Sequence, residues 1–275
     1  MAVVREPAVA GLFYPDLQGV LSTQVDELLL RAKTVSVRGS LKALIVPHAG
    51  YQYSGYAAAI GYKILKGLSF ESVVIVGPSH REYFDSISVY SGDSFRTPLG
   101  EVPIHGALRE KLVHHNGRIK IADAGHREEH SLEVQLPFLQ RVFGKFSFVP
   151  IVMGDQKREY CDLLAGALAD AIRDRNVLMI ASSDLSHYHP YREAVQLDRG
   201  VIELIEQYDP DRLLEKLEHE EIEACGGGPI AVVMKAARIL GPARAKSLYY
   251  CNSGDVTGEK DTVVGYCSAA LTQES

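Results

Sequence analysis

Tryptophan is absent from the 275 residues, and cysteine and methionine occur four times each. Cys161, Cys225, Cys251 and Cys267 are widely spaced and form no CxxC pair. That argues against a zinc ribbon or a disulfide framework and points to a reducing, cytoplasmic compartment. No stretch approaches the ~20 consecutive apolar residues that would cross a bilayer. The first residues carry Arg5 and Glu6 and no long apolar core, so no secretory signal is expected there. Excess positive charge is missing as well. The formal net charge of −6 gives no electrostatic reason to bind nucleic acid or an anionic membrane, and neither is expected as a partner. GxGxxG, Walker A and Gly-x-Ser-x-Gly patterns do not occur, and CGGGP at 225–229 lacks the Lys-Ser/Thr of a P-loop, which removes the support for nucleotide binding and for an ordinary serine hydrolase.

What is present is ordinary globular composition, 46% hydrophobic and 23% charged, in a chain long enough to bury roughly three quarters of its unfolded surface. Short Val/Ile-rich runs predict strands at 42–47, 72–77, 86–90, 146–153, 177–182, 246–251 and 262–270. Amphipathic spacing predicts helices at 17–33, 54–66, 105–115, 131–142, 158–174, 191–206, 210–223 and 229–240. Asp209-Pro210 reads as a helix start and Gly241-Pro242 as a stop. The charged run EKLEHEEIEA (215–224) reads as a solvated helix face, and 92–103 as a long turn or loose hairpin. Alternating strands and helices imply an α/β fold with a central, mostly parallel mixed sheet covered on both faces. Without a repeat, low-complexity tract or linker, residues 1–275 read as a single domain.

The chemistry gathers just past the strands, where open α/β sheets bind ligands. LIVPH ends on His48, VVIVGPSH on His80, and MIASSDLSH brings Asp184 and His187. One strand-end histidine is more commonly a hydrogen-bonded loop residue; three in separate strand-end loops suggest a shared site. Two imidazoles make a weak metal site, and a third ligand would complete a facial set with open positions. Cys225, in ACGGGPI, lies near an expected helix start, where a thiolate is favoured and the glycines allow close backbone approach. Taken alone it reads more readily as a small buried hydrophobe. Cys161, Cys251 and Cys267 fall in apolar faces and read as core. His126-Arg-Glu-Glu129-His130 matches the inverted zinc-protease pattern H-x-x-E-H. That pattern needs both histidines on one helix face, and Gly125 with a helix expected to start near residue 130 speaks against it. His130, Ser131 and Glu133 read instead as helix caps at the cleft edge, with His130 and Tyr53 as candidate polar contacts beside the ligands. His105, His114, His115, His189 and His219 receive no role.

REPAVAGLFYP (5–15), PHAGYQYSG (47–55), GPSH (77–80), FRTPLGEV (95–102), EEHSLEVQLPFL (128–139), SSDLSH (182–187) and ACGGGPI (224–230), taken together and in this order, resemble the Memo family, whose microbial members are also called AmmeMemoRadiSam system protein B. That family is similar in fold to the class III extradiol dioxygenases of the protocatechuate 4,5-dioxygenase type. The resemblance implies a non-haem metal pocket with His48 and His80 as metal ligands and Cys225 as the third, where true dioxygenases have a glutamate. It gives His187 the position of the catalytic base, with Asp184 beside it to orient the ring. One metal ion is implied, iron(II) or copper, with zinc as a further candidate because thiolate is a soft donor. The microbial name also implies association with radical-SAM and AMMECR-type proteins.

The reading that follows is a cytoplasmic, metal-binding, oxidoreductase-like protein, dioxygenase-like on a small, catecholic molecule. Two alternatives stand beside it. One is a non-catalytic module that recognises a peptide or partner at the same cleft, with Tyr51, Tyr53 and Tyr56 as an aromatic rim. The other is a zinc-dependent hydrolase.

Overall fold

The apolar runs become strands and the 3–4-residue spacings become helices, largely where expected. A computed structural model describes residues 2–114 and 117–274. Its strands are β1 (Val4–Arg5), β2 (Ser40–Val46), β3 (Ser72–Pro78), β4 (Ile87–Tyr90), β5 (Ser94–Thr97), β6 (Gly100–Pro103), β7 (Ile119–Ala122), β8 (Phe148–Met153), β9 (Val177–Ser182), β10 (His187–His189), β11 (Ala243–Asn252) and β12 (Val263–Gln273). Its helices are α1 (Gln18–Arg31), α2 (Tyr51–Lys63), α3 (Gly106–Val113), α4 (Leu136–Phe143), α5 (Arg158–Ile172), α6 (Tyr191–Glu206), α7 (Pro210–Glu218), α8 (Gly227–Leu240) and α9 (Ser253–Thr257). A short 3-10 turn, Glu133–Gln135, leads into α4.

The main sheet runs β10-β12-β2-β9-β3-β8-β4-β7, with β11 paired to β12. Its centre, β2-β9-β3-β8, is parallel. The flanks bring in antiparallel pairs, β4 with β8 and β12 with β2, β10 and β11. The sheet is mixed as expected, but its parallel character is concentrated in the centre. Residues 253–262 between β11 and β12 are too few for a crossover, so β12 must return antiparallel.

Period-two alternation divides the central strands between two cores. Ala43, Ile45, Val74, Val76, Met179 and Ala181 pack toward α5 and α8 on one face. Leu44, Val46, Val73, Ile75, Leu178 and Ile180 pack toward α1, α2 and α4 on the other. Each Val, Leu, Ile or Met among them, fully buried, contributes roughly 1.5–3 kcal/mol. The remaining cysteines of the core are as expected: Cys161, Cys251 and Cys267 are buried.

The segment 92–103 closes into the hairpin β5–β6, and β1 adds to it in parallel, making a separate three-stranded sheet. Short β1, β7 and β10 were not foreseen, because runs of two to four residues carry too little periodicity. Asp209 caps α7 through the amide of Arg212, and Gly241 ends α8. The helix expected over 210–223 stops at Glu218, since Glu220 takes a left-handed φ of 57°. The acidic run is therefore only half a helix face. The helix expected over 105–115 ends at Val113, and His115 lies outside the described residues.

Candidate metal centre

The carboxyl ends of β2, β3 and β9 lie side by side, so the residues just past them share one cleft. His48 follows β2, His80 follows β3, and Asp184 follows β9. Cys225 enters from the turn before α8, tied to the β9 end by its amide to the Asp184 carbonyl (3.3 Å) and by the Asp184 amide to its Sγ (3.3 Å). Gly226 makes this approach possible. A Cβ there would stand 2.3 Å from the Ser182 carbonyl oxygen, so the close backbone contact read from CGGG is present.

Donor atoms of His48, His80 and Cys225 all lie within 4.8 Å of one another, with Cys225 Sγ 3.1 Å from His48 Nε2. An ion held tetrahedrally at ordinary Zn–N and Zn–S lengths would keep its donors roughly 3.3–3.6 Å apart. The set therefore fits a single ion with small side-chain adjustments. Both imidazoles are anchored through Nδ1: His48 to Ser182 Oγ at 2.9 Å and His80 to Glu129 Oε1 at 2.8 Å. Burial, and then the neighbouring His80, depress the pKa of His48 well below the usual histidine value, which keeps a neutral ligand.

Burial also pushes the Cys225 thiol up, with the Asp184 carboxyl adding to it. The thiolate expected from a helix N-terminus is thus not favoured in the metal-free protein, because desolvation outweighs the helix dipole. A metal would displace that proton on binding.

A second group of donors, His80, Glu129 and His130, also lies within 4.8 Å. Its carboxylate already accepts from the His80 amide (2.6 Å), His80 Nδ1 (2.8 Å) and the Ser131 amide (2.9 Å). Those bonds fill both positions of Oε1 and one of Oε2, and two of the three come from His80, so Glu129 is placed as an anchor for His80. Against burial, which pushes it up, the His80 hydrogen bonds and charge, with His130 adding, hold its carboxyl below the ordinary range.

The H-x-x-E-H histidines are not on a helix, since residues 126–130 run through turns and bends. His126 is buried, with Nε2 toward the Ser88 carbonyl at 3.1 Å and its ring against Tyr90 and Phe95. His130 does reach the site, stacked on His80 (ring centroids 4.6 Å) and edge-on to His48 (5.3 Å). It caps no helix, and neither does Ser131 or Glu133: the turn and α4 begin without side-chain cap hydrogen bonds. Glu133 instead binds Arg5. Tyr51 is core, donating to the Val134 carbonyl, Tyr56 packs on Tyr249, and only Tyr53 (37% exposed) remains for a rim.

His187 is half-buried, and its ring has no hydrogen-bond partner among the described residues. With Cys225 it lines an adjoining cavity of about 800 Å³, floored by Leu185, Leu214, Leu217 and Ile222. Asp184 does not orient that ring by a hydrogen bond. Its Oδ1 accepts the His48 amide at 2.7 Å, and burial raises its carboxyl to about 6. Sequence reasoning missed Glu129, Ser182 and Gln135, which secure the imidazoles, and Glu223, which accepts from His189 Nε2 at 2.8 Å and from the His187 amide. The blocks EEHSLEVQ and SSDLSH held three of them in plain view.

Fold and cleft together define a single-domain α/β protein with a His/His/Cys cluster at the carboxyl end of a mixed sheet. The family model described as Memo-like protein matches residues 5–270. MEMO1 family proteins of Aquifex aeolicus (40% identical; 96% of this chain, 97% of the relative), Methanosarcina mazei (39%; 96% and 98%) and Thermoplasma volcanium (37%; 99% and 100%) match nearly end to end. The chain belongs to the Memo-like family. A crystal structure of an uncharacterized protein from Escherichia coli K12 shares the fold with a TM-score of 0.58 at 15% identity, covering 85% of this chain and all of its own.

Proposed function

We propose that this Memo-family chain is a metal-binding, oxidoreductase-like protein whose ion is held by His48, His80 and Cys225. The observation that carries the reading is the convergence of donor atoms from two anchored imidazoles and one cysteine within 4.8 Å, from three segments far apart in sequence. Two imidazoles and a soft sulfur suit copper or iron(II), and zinc as well. Such an ion would supply redox chemistry or Lewis acidity and open positions for a ligand. The chain supplies the rest. The 800 Å³ cavity beside Cys225 admits a small organic molecule. His187, half-buried and with its ring free of hydrogen bonds among the described residues, lines that cavity and is the imidazole placed to accept or donate a proton at its wall. Asp184 holds the His48 loop in register.

Metal content of purified wild type against His48→Ala, His80→Ala and Cys225→Ser tests the site. About one equivalent in wild type and a large loss in each variant is expected; equal content in all four proteins sinks the proposal. Anaerobic loading with iron(II), followed by oxygen and a catechol panel, tests the reaction. Turnover abolished in His187→Ala supports a dioxygenase-like enzyme. Ligand binding indifferent to both metal and His187 supports the non-catalytic module.

A further inference from the structure

The segment 129–135, part of the block EEHSLEVQLPFL, is absorbed neither by the ligand set nor by the cavity, yet it contacts both imidazoles' anchors. Its hydrogen bonds can be assigned proton by proton. Gln135 Nε2 lies 3.0 Å from the Pro47 carbonyl and 2.8 Å from Ser182 Oγ, while its Oε1 accepts from Tyr62 Oη at 2.8 Å. A carbonyl can only accept, so the amide orientation is fixed and Nε2 donates to Ser182 Oγ. The single hydroxyl proton of Ser182 goes to the Ser131 carbonyl at 2.6 Å. Ser182 Oγ then has only a lone pair left for His48 Nδ1 at 2.9 Å, so Nδ1 must carry the proton. On His80 the logic is simpler. Its Nδ1 faces the Glu129 carboxylate, an acceptor, at 2.8 Å. Ser182, Ser131, Gln135 and Glu129 are all essentially buried, so solvent does not compete for these bonds.

We infer that residues 129–135, acting on His48 through Ser182 and on His80 through Glu129, form a tautomer template that holds both imidazoles as Nδ1–H and leaves both Nε2 atoms with a free lone pair, that of His48 3.1 Å from the Cys225 sulfur. Gln135, Ser131, Ser182 and Glu129 are positioning residues; none need touch the ion. The inference rests on the metal-binding reading for its purpose, but the tautomers themselves exist without metal. An imidazole free to choose would spend part of its time with Nε2 protonated and unable to ligate. Template loss should therefore lower metal affinity, as loss of a histidine's outer partner lowers it ~10–100-fold elsewhere.

The test is long-range ¹H–¹⁵N correlation of the imidazoles in metal-free, ¹⁵N-labelled protein, paired with cobalt(II) titration against a chelator. His48 and His80 should both show the Nδ1–H pattern in wild type. Ser182→Ala should move His48 toward Nε2–H and weaken cobalt binding tenfold or more, while Ser182→Thr, which keeps the hydroxyl, should restore both. A wild-type His48 protonated on Nε2, or a Ser182→Ala protein with an unchanged His48 pattern, overturns the template. Should Ser182→Ala misfold, the wild-type and Ser182→Thr patterns still decide it. Nδ1–H tautomers in a wild type that binds no metal uphold the template and sink the metal reading alone.

Discussion

Replacing Glu133 by alanine should cost more stability than any other single-carboxylate change in the chain. Glu133 is completely buried, and its two oxygens accept four donors: Arg5 Nη1 at 2.6 Å, Tyr14 Oη at 2.5 Å, and the amides of Ala8 (2.8 Å) and Val9 (3.0 Å). The Tyr14 phenol, driven up by burial first and by the Glu133 charge next, stays a donor at any ordinary pH. The Arg5 guanidinium is buried too; its other nitrogens donate to the carbonyls of His126 and Glu129. Truncating Glu133 keeps those two bonds but leaves a buried positive charge without its counter-ion. Such a loss costs about 3–5 kcal/mol, out of a total stability of roughly 5–15 kcal/mol. Urea unfolding should show the midpoint falling with an unchanged slope. The double variant Arg5→Met/Glu133→Leu removes the uncompensated charge but leaves the Tyr14 hydroxyl, the Ala8 and Val9 amides and the His126 and Glu129 carbonyls without these partners, so it should not restore wild-type stability. A Glu133→Ala penalty under about 1 kcal/mol, or a double variant as stable as wild type, would refute the reasoning.

The remaining predictions concern pH and backbone approach. His126 is buried and neutral, its pKa lowered to about 4 by desolvation. The unfolded chain takes up that proton near pH 6.5, so stability should fall as pH drops from about 6.5 to 4, by roughly 3 kcal/mol from this group; urea midpoints against pH should flatten over that window in His126→Phe, and an unchanged slope would contradict the assignment. Gly226→Ala should push the Cys225 turn off the end of β9, where its Cβ would meet the Ser182 carbonyl. A loss of about 1–3 kcal/mol in thermal or urea unfolding together with weakened metal binding is expected, whereas full metal affinity would show that the turn is not held by this contact.

What could be read from the sequence was whatever periodicity or strand ends encode. The apolar runs at 72–77 and 177–182 became β3 and β9 almost to the residue, because strands buried on both faces are near-continuous in apolar residues. His48 and His80 were visible because a polar residue directly past such a run has a defined place at the carboxyl edge of the sheet. Cys225 needed the resemblance, since its approach depends on backbone contact at Gly226 and leaves no periodic trace. Glu133 looked like a helix cap three residues after His130, yet the chain there bends through a 3-10 turn and delivers its carboxylate to Arg5. Nothing local to 128–139 reveals that partner, which lies more than a hundred residues earlier.

The same long reach explains why the cleft is better determined than its ligands alone suggest. Arg5 donates to the Glu129 carbonyl and Glu133 ties down the amides of Ala8 and Val9, so the N-terminal segment and residues 129–135 brace one another. Phe13, farther along that segment, packs on His130 at 4.8 Å, and its carbonyl receives the Tyr51 amide at 2.8 Å. His130 in turn stacks on His80. A ring at the site is thus supported through side chains and backbone by a segment that contributes no metal donor. This is why REPAVAGLFYP belongs with the histidine blocks: it fixes the loop whose hydrogen bonds decide which nitrogen each imidazole presents. Damage to Arg5 or Glu133 should consequently reach the donors through residues 129–135, without any change in the donors themselves.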